Sequence, residues 1–333
     1  MKKILISRKL NSYKANLHAH TNISDGRFSP EELKEIYKSH GYSVLAYTDH
    51  DIFIPHPELC DDEFIALSGF EAHFNECNKH PGLKHEKKCH ICFIAGSPDT
   101  VEQPCWNEEC SYVGNCKKHN FRVVPDKESS PYPNEYTPES INGMIKIAKD
   151  RGFFSTYNHP GWSLENCTQY MQYDGFNAVE VFNNSAENLG YQSTATYAYD
   201  DILRSGKRVF PVAADDVHGM DDCFGGFVMI QANELKYEII AEALFKGDFY
   251  ASTGPLFKEV YIEDSKLHIS TSQVSSISLT SDVRVAACAR ATEGESISEA
   301  IFQLNSEFKY FRITIKDAHG NYAYTRAFFS DEI

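Results

Sequence analysis

The sequence predicts an α/β fold, with strands and helices alternating over 1–255 and a small all-β, sandwich-like domain over 256–333. Short apolar runs recur at 15–17, 44–48, 65–70, 91–95, 153–157, 178–182 and 209–214. Several are continuous rather than alternating, as strands covered on both faces should be. Helical segments lie between the runs, the rhythm of a parallel sheet or barrel. After Gly254-Pro255 the texture changes to alternating Val, Ile, Tyr, Phe, Ser and Thr, as in the run KEVYIEDSKLHIS.

Taken in order, the first run ends in Leu17-His18-Ala19-His20. Ser29-Pro30-Glu31-Glu32 then reads as a helix start, with serine capping, proline at the first position and glutamate at the third. That helix should run to about His40 and stop at Gly41. A second is expected from Thr137-Pro138-Glu139 to Asp150, ending at Gly152. Segments 75–88 and 97–136 break the rhythm, being rich in Cys, Asn, Lys, Pro and charge. They read as long loops inserted on the functional side of the sheet. Near the end, Ala318-His319-Gly320-Asn321 makes a turn between two strands.

Composition narrows the function. At 42% hydrophobic and 24% charged, the 333 residues can build a core. A net charge of −15 argues against a partner held through a basic face, such as a nucleic-acid backbone. It does not exclude a small phosphorylated substrate, because bound divalent cations reverse the field inside a pocket. The N-terminal apolar run is broken by Arg8, Lys9 and Asn11, against a signal peptide. No run reaches membrane-spanning length, so the protein is expected to be soluble and cytoplasmic. The ten cysteines then read as reduced thiols rather than a disulfide framework. Cys105, Cys110 and Cys116 with His119 lie close enough to suggest a structural zinc, although the spacing fits no standard finger.

The chemistry-bearing residues fall at strand ends. His18 and His20 are two apart, so on an extended backbone both rings face one side and can reach one cation. Asp25 follows in Ser24-Asp25-Gly26. The second strand ends in Thr48-Asp49-His50-Asp51 and the third in Gly69-Phe70-Glu71, while the fourth is entered at His90. The fifth ends in Asn158-His159-Pro160 and the seventh in Asp215-Asp216-Val217-His218. A lone histidine beside a strand is more often a satisfied core or surface residue than a ligand, and a lone Asp25 or Asp51 more often a turn residue or cap. Their ordered recurrence at strand ends, where barrels gather reactive groups, favours a metal site.

Together HAHTNISDG, TDHD, GFE, the downstream His90, NHP and DDVH resemble the successive motifs of the PHP (polymerase and histidinol phosphatase) superfamily, over roughly residues 14 to 254. The resemblance implies a distorted (β/α)7 barrel holding two or three divalent metal ions (Mn, Zn or Fe) at the C-terminal ends of its strands. It implies that His18, His20, Glu71 and Asp216 surround one metal. Glu71 would bridge to a second metal held by His90 and His159, and Asp25, His50 and His218 would hold a third. The family pattern Asp-x-His selects Asp216 over Asp215. His18, His20, Glu71, Asp216 and His218 are then the catalytic set. Asp25 matches the branch with Asp where others carry His, which includes phosphoesterases acting on nucleotide-type substrates.

The implied activity is hydrolysis of a small phosphomonoester or phosphodiester by a metal-activated water. A mixed N/O ligand set suits it, and phosphoryl transfer needs no protein nucleophile. Arg27 is a candidate phosphate contact, with an exposed ion-pairing arginine as its alternative. Glu180 in the sixth strand is a candidate orienter for a histidine. Asp49 and Asp51 read as supporting residues or caps, and His80, His85 and His119 as exposed. Competing functions are amide or lactone hydrolysis with the same ligands, or a non-catalytic metal-dependent binding module.

Overall fold

In the computed structural model, which describes residues 2–76, 87–284, 286–304 and 307–333, seven strands carry the first part of the chain. They are β1 (Asn11–Asn16), β2 (Val44–Tyr47), β3 (Ile65–Asn75), β4 (Lys88–Ala95), β5 (Phe153–Tyr157), β6 (Ala178–Asn183) and β7 (Phe210–Ala214). They lie side by side in chain order. β1, β2 and β3 pair in parallel, as do β5, β6 and β7.

β4 corrects the parallel order that the alternating pattern predicts, because it runs antiparallel to both β3 and β5. An antiparallel neighbour needs only a return loop, whereas a parallel one needs a crossover. The reversal brings the start of β4, and with it His90, to the end where the other strands finish. β3 is also longer than predicted, so Glu71 stands within the strand opposite Cys92 rather than at its end.

The two ends of the seven-strand run meet just beyond β1 and β7. Ala19 and Val217 form a parallel bridge, with Asp216 N–H on the His18 carbonyl and His20 N–H on the Val217 carbonyl, both at 3.0 Å. This join sets the first and last motifs side by side.

Helices cover the outer surface. α1 (Pro30–Ser39) has the predicted capping box of Ser29 and Glu32, and it buries Leu33 and Tyr37. Gly41 follows at φ +77°, a conformation that favours glycine. α2 (Pro138–Asp150) is capped by Thr137 and buries Ile141, Met144, Ile145 and Ala148. α3 (Thr196–Arg204) and α4 (Tyr237–Lys246) add Ile202, Leu203, Ile240 and Leu244 to the core. No helix among the described residues is long and apolar enough to cross a membrane.

The sheet does not stop at β1. It continues through Phe227–Ala232 and Phe249–Ser252 into Tyr322–Thr325, Tyr310–Lys316, Ser276–Ser281 and Ala287–Arg290. A second sheet of Lys3–Ile6, Phe257–Glu263, Lys266–Val274 and Ile297–Gln303 packs on the distal part of the first. Val260, Leu267, Ile269, Ile277, Phe311 and Ile313 fill the space between them. The N-terminal strand thus belongs to the sheet of the C-terminal region. Arg312 ties this region to α3, with its Nε and Nη2 each donating to the Asp200 carboxylate at 2.8 Å.

The 97–136 insertion folds over the strand ends. Its Cys116 thiol donates to the His50 carbonyl, and Asn115 N–H to Ser24 O. Of the 75–88 insertion, Cys77, His80 and His85 lie outside the described residues.

Candidate metal centre

Asp25, His50, Glu71, His90, His159, Asp216 and His218 line one cavity of about 420 Å³, and His18 and His20 lie buried beneath it. Glu71 is the hub. One of its oxygens lies 3.1 Å from His18 Nε2 and 3.3 Å from His159 Nε2. The other lies 3.2 Å from His50 Nδ1, 3.3 Å from His90 Nδ1 and 3.5 Å from His20 Nε2. Asp216 Oδ1 sits between His18 Nε2 at 3.2 Å and His20 Nε2 at 3.1 Å. Asp25 approaches His218 at 3.6 Å, His50 at 3.8 Å and His20 at 3.9 Å.

All nine residues named from the sequence therefore gather, but their closest groupings cut across the implied partition. Potential ligand atoms within 4.8 Å of one another group as His20, Asp25, His50 and His218; as His18, His159 and Asp216; and as His50, Glu71 and His90. The cluster is contiguous because each imidazole and carboxylate offers two atoms to neighbouring positions.

The donor set fits divalent cations. His20 Nδ1, His50 Nδ1, His90 Nδ1 and Glu71 Oε2 are buried and make no hydrogen bond, although Glu71 Oε2 lies 3.2–3.3 Å from the His50 and His90 nitrogens, a costly state for polar atoms unless a bound group meets them. The Nε2 atoms of His18 and His20 face each other at 3.1 Å. Burial, followed by the charge of His20 for His50, lowers the basicity of His50 and His90, the latter to about 4. Both are then neutral imidazoles with free lone pairs, as a metal requires. Burial opposes charge on Glu71 and Asp216, yet the histidines around them hold both well below the usual carboxylate range. Burial likewise opposes charge on His218, but the Asp25 carboxylate beside it and the Asp216 charge raise it to about 10. Such a cluster of anions demands positive charge, which either protons or cations can supply.

Neighbouring groups hold these side chains in place. Glu180 accepts from His18 Nδ1 at 2.7 Å and from His159 N–H at 2.9 Å, the orienting role foreseen for it. Asn158 donates to Glu71 at 2.6 Å. Asp49 accepts from the Thr21 and Ser24 backbones and hydroxyls, shaping the loop that carries Asp25. Asp215 accepts from Tyr37 Oη at 2.6 Å and from the Phe224 and Gly226 amides, so its carboxylate serves the loop after β7. Burial pushes it up to about 6. Asp51, His159 and Asp216 have positive φ values of 59°, 26° and 55°. Strained backbone of this kind gathers at functional sites.

The other candidates divide. Arg27 is exposed, packs beside Gly219 and does not line the cavity. Cys105, Cys110, Cys116 and His119 form no ligand group among the described residues, which corrects the structural zinc suggestion. Cys116 is instead buried beneath the His50 carbonyl and Cys105 beside Ser129. His119 is half-buried rather than exposed.

Sequence reasoning missed several cavity residues. His73 and Tyr112 line the cavity: His73 Nδ1 pairs with Asp51 at 2.7 Å, and the other ring nitrogen of His73 meets the Tyr112 hydroxyl at 2.9 Å. Lys88 and Trp162 also line the cavity. Cys92 lies near His18 and Glu71, but burial raises its thiol to about 11, so it remains protonated and a poor ligand. The one available signal was period-two alternation, which places Lys88 on the same strand face as His90, and His73 on the same face as Glu71.

No family model and no curated protein matches the sequence. Solved structures do. A two-domain protein from Bacteroides vulgatus, described as containing a predicted PHP-like metal-dependent phosphoesterase, is 14% identical over 98% of each chain, with a TM-score of 0.45. An amidohydrolase from Chromobacterium violaceum with bound sulfate and no metal is 14% identical, covering 61% of this chain and 87% of its own, at a TM-score of 0.36. A protein described as a metal-dependent phosphoesterase from Bifidobacterium adolescentis is 14% identical, covering 64% and 90%, also at 0.36.

Proposed function

We propose that this chain is a metal-dependent phosphoesterase of PHP type, hydrolysing a small phosphomonoester or phosphodiester at the cluster centred on Glu71. The observation that carries this reading is the convergence of nine ligand-type side chains at one cavity, where several buried nitrogen and oxygen atoms make no hydrogen bond. In this reading the seven strands form a distorted (β/α)7 barrel, and 256–333 is a small sandwich-like domain joined to it. His18, His20, Asp25, His50, Glu71, His90, His159, Asp216 and His218 would hold two or three divalent ions. When bound, such ions neutralise phosphoryl charge and activate water.

The chain's own residues supply the framework. Glu180 fixes the ring of His18 and the backbone of His159, so their lone pairs point inward. His50 and His90 stay neutral through burial. A cavity of about 420 Å³ admits a metabolite-sized ester. The acidic surface, with a net charge of −15, does not favour a long nucleic-acid backbone.

The test is metal analysis of the purified protein, followed by a Mn-dependent screen of phosphorylated metabolites on wild type and His20→Ala. Phosphate release that disappears in the variant is the expected result. Release that survives the substitution would overturn the assignment. Turnover confined to amides or lactones would move it to carbonyl chemistry, and tightly held metal without turnover would favour a binding module.

A further inference from the structure

We infer that Lys88, held against Trp162, is the residue of this cavity that binds the phosphoryl oxygens of the substrate. The inference rests on the phosphoesterase reading for the identity of the anion, but on separate residues. Lys88 opens β4, and strand alternation turns its side chain to the same face as His90 while Cys89 enters the core. Its N–H donates to Ser163 O at 3.1 Å, and the Ser163 hydroxyl lies 3.2 Å from His159 Nδ1. The base of the lysine is therefore stitched to the loop that carries His159.

Trp162 belongs to the same loop. Its ring packs on His90 and His159 at centroid separations of 5.3 and 4.9 Å. The Lys88 ammonium lies 4.9 Å from the Trp162 centroid, within cation–π range. Among the described residues, Lys88 enters no ion pair, although Asp25, Glu71, Asp216 and Asp222 all line the same cavity. It is also the one lysine or arginine among the described lining residues.

A half-buried ammonium kept off nearby carboxylates and steered by an aromatic face is placed to meet an incoming anion. Cations at the carboxylates would meet some phosphoryl oxygens, and the remaining oxygens need a donor on the cavity wall. An ammonium with rotatable donors suits that task. Trp162 acts as a positioning residue, limiting where the ammonium can go.

The experiment titrates inorganic phosphate into the full-length, Mn-loaded protein by calorimetry, with metal content measured on every sample. Wild type, Lys88→Gln, Lys88→Arg and Trp162→Phe are compared. Lys88→Gln is expected to bind phosphate about ten-fold more weakly with unchanged metal content. Lys88→Arg should recover most of the loss, and Trp162→Phe should fall between. For any ester that is turned over, KM should rise more than kcat falls. Phosphate binding by Lys88→Gln equal to wild type would overturn the inference. So would loss of metal together with phosphate, which would make the lysine a structural prop, and so would a wild type that binds no phosphate. Lysine-dependent phosphate binding without turnover of any ester would sustain this inference and sink the proposed function.

Discussion

The two ends of the large sheet solve opposite problems. At the end where β4 begins and the other six strands of the run finish, the interior is filled with imidazoles and carboxylates, and His20, His50, His90 and Glu71 each leave a buried atom without a hydrogen bond. In the paired sheets of the C-terminal region, Val260, Leu267, Ile269, Ile277, Phe311 and Ile313 are packed against one another. Among the described residues after 255, Thr280 is the one with a buried side-chain atom lacking a partner. Packing of apolar groups stabilises wherever it occurs. Buried unpaired polar groups cost stability, and a fold carries them where a bound group compensates. The comparison separates a region crowded with ligand-type groups from a region held together by apolar packing.

The largest expected effect comes from Glu71→Gln, which removes the central anion. Hydrolysis should fall on the order of a thousandfold, measured as phosphate release under saturating metal. Activity within a few-fold of wild type would mean that the unpartnered atoms around Glu71 have no metal to serve. Glu180→Gln reaches the cluster indirectly, through His18 and His159. It should weaken metal affinity by about 10- to 100-fold in a competition titration with a chelator. An unchanged affinity would reduce Glu180 to a structural acceptor.

Proton linkage sharpens the same contrast. His218 at about 10, together with His18 raised well above the usual imidazole range, carries protons at neutral pH in the absence of cations, and the carboxylates around it raise His159 as well. Metals must displace those protons, so affinity should rise with pH toward 10, by about ten-fold per unit for each proton released. Calorimetry in buffers of different ionisation enthalpy reads that release, and proton-neutral binding would contradict it. The smallest effect on the centre belongs to Arg312→Met, which breaks the tie between the C-terminal region and α3. Asp200 is partly exposed, so the loss should be about 2 kcal/mol of stability. Metal content and phosphate release should stay at wild-type levels. A change in either would show that the cohesive region also shapes the metal centre.

Much of this was legible in the chain itself. The Ser29–Glu32 capping box, the Gly41 and Gly152 stops and the alternating strands after Gly254-Pro255 appear as predicted, because local hydrogen bonding and backbone freedom set them. Nine candidate ligands could be named because each carries a functional group that is expensive to bury without purpose. The Cys105, Cys110, Cys116 and His119 suggestion failed for the same reason in reverse. Thiols are cheap to bury, so proximity in sequence carried little information.

What the sequence determined by itself was the set of groups brought to the strand ends and the change from an alternating α/β region to an all-β one. Periodicity and side-chain chemistry are local properties, readable without neighbours. Only the tertiary structure decided that β4 runs backward, so that His90 and Lys88 arrive from a strand's beginning rather than its end. It alone joined β1 to β7 through Ala19 and Val217, and drew Lys3–Ile6 into the distal sheet. Strand direction and pairing are settled by which long-range contacts bury the most surface with all backbone groups paired. No window of sequence contains both partners of those contacts.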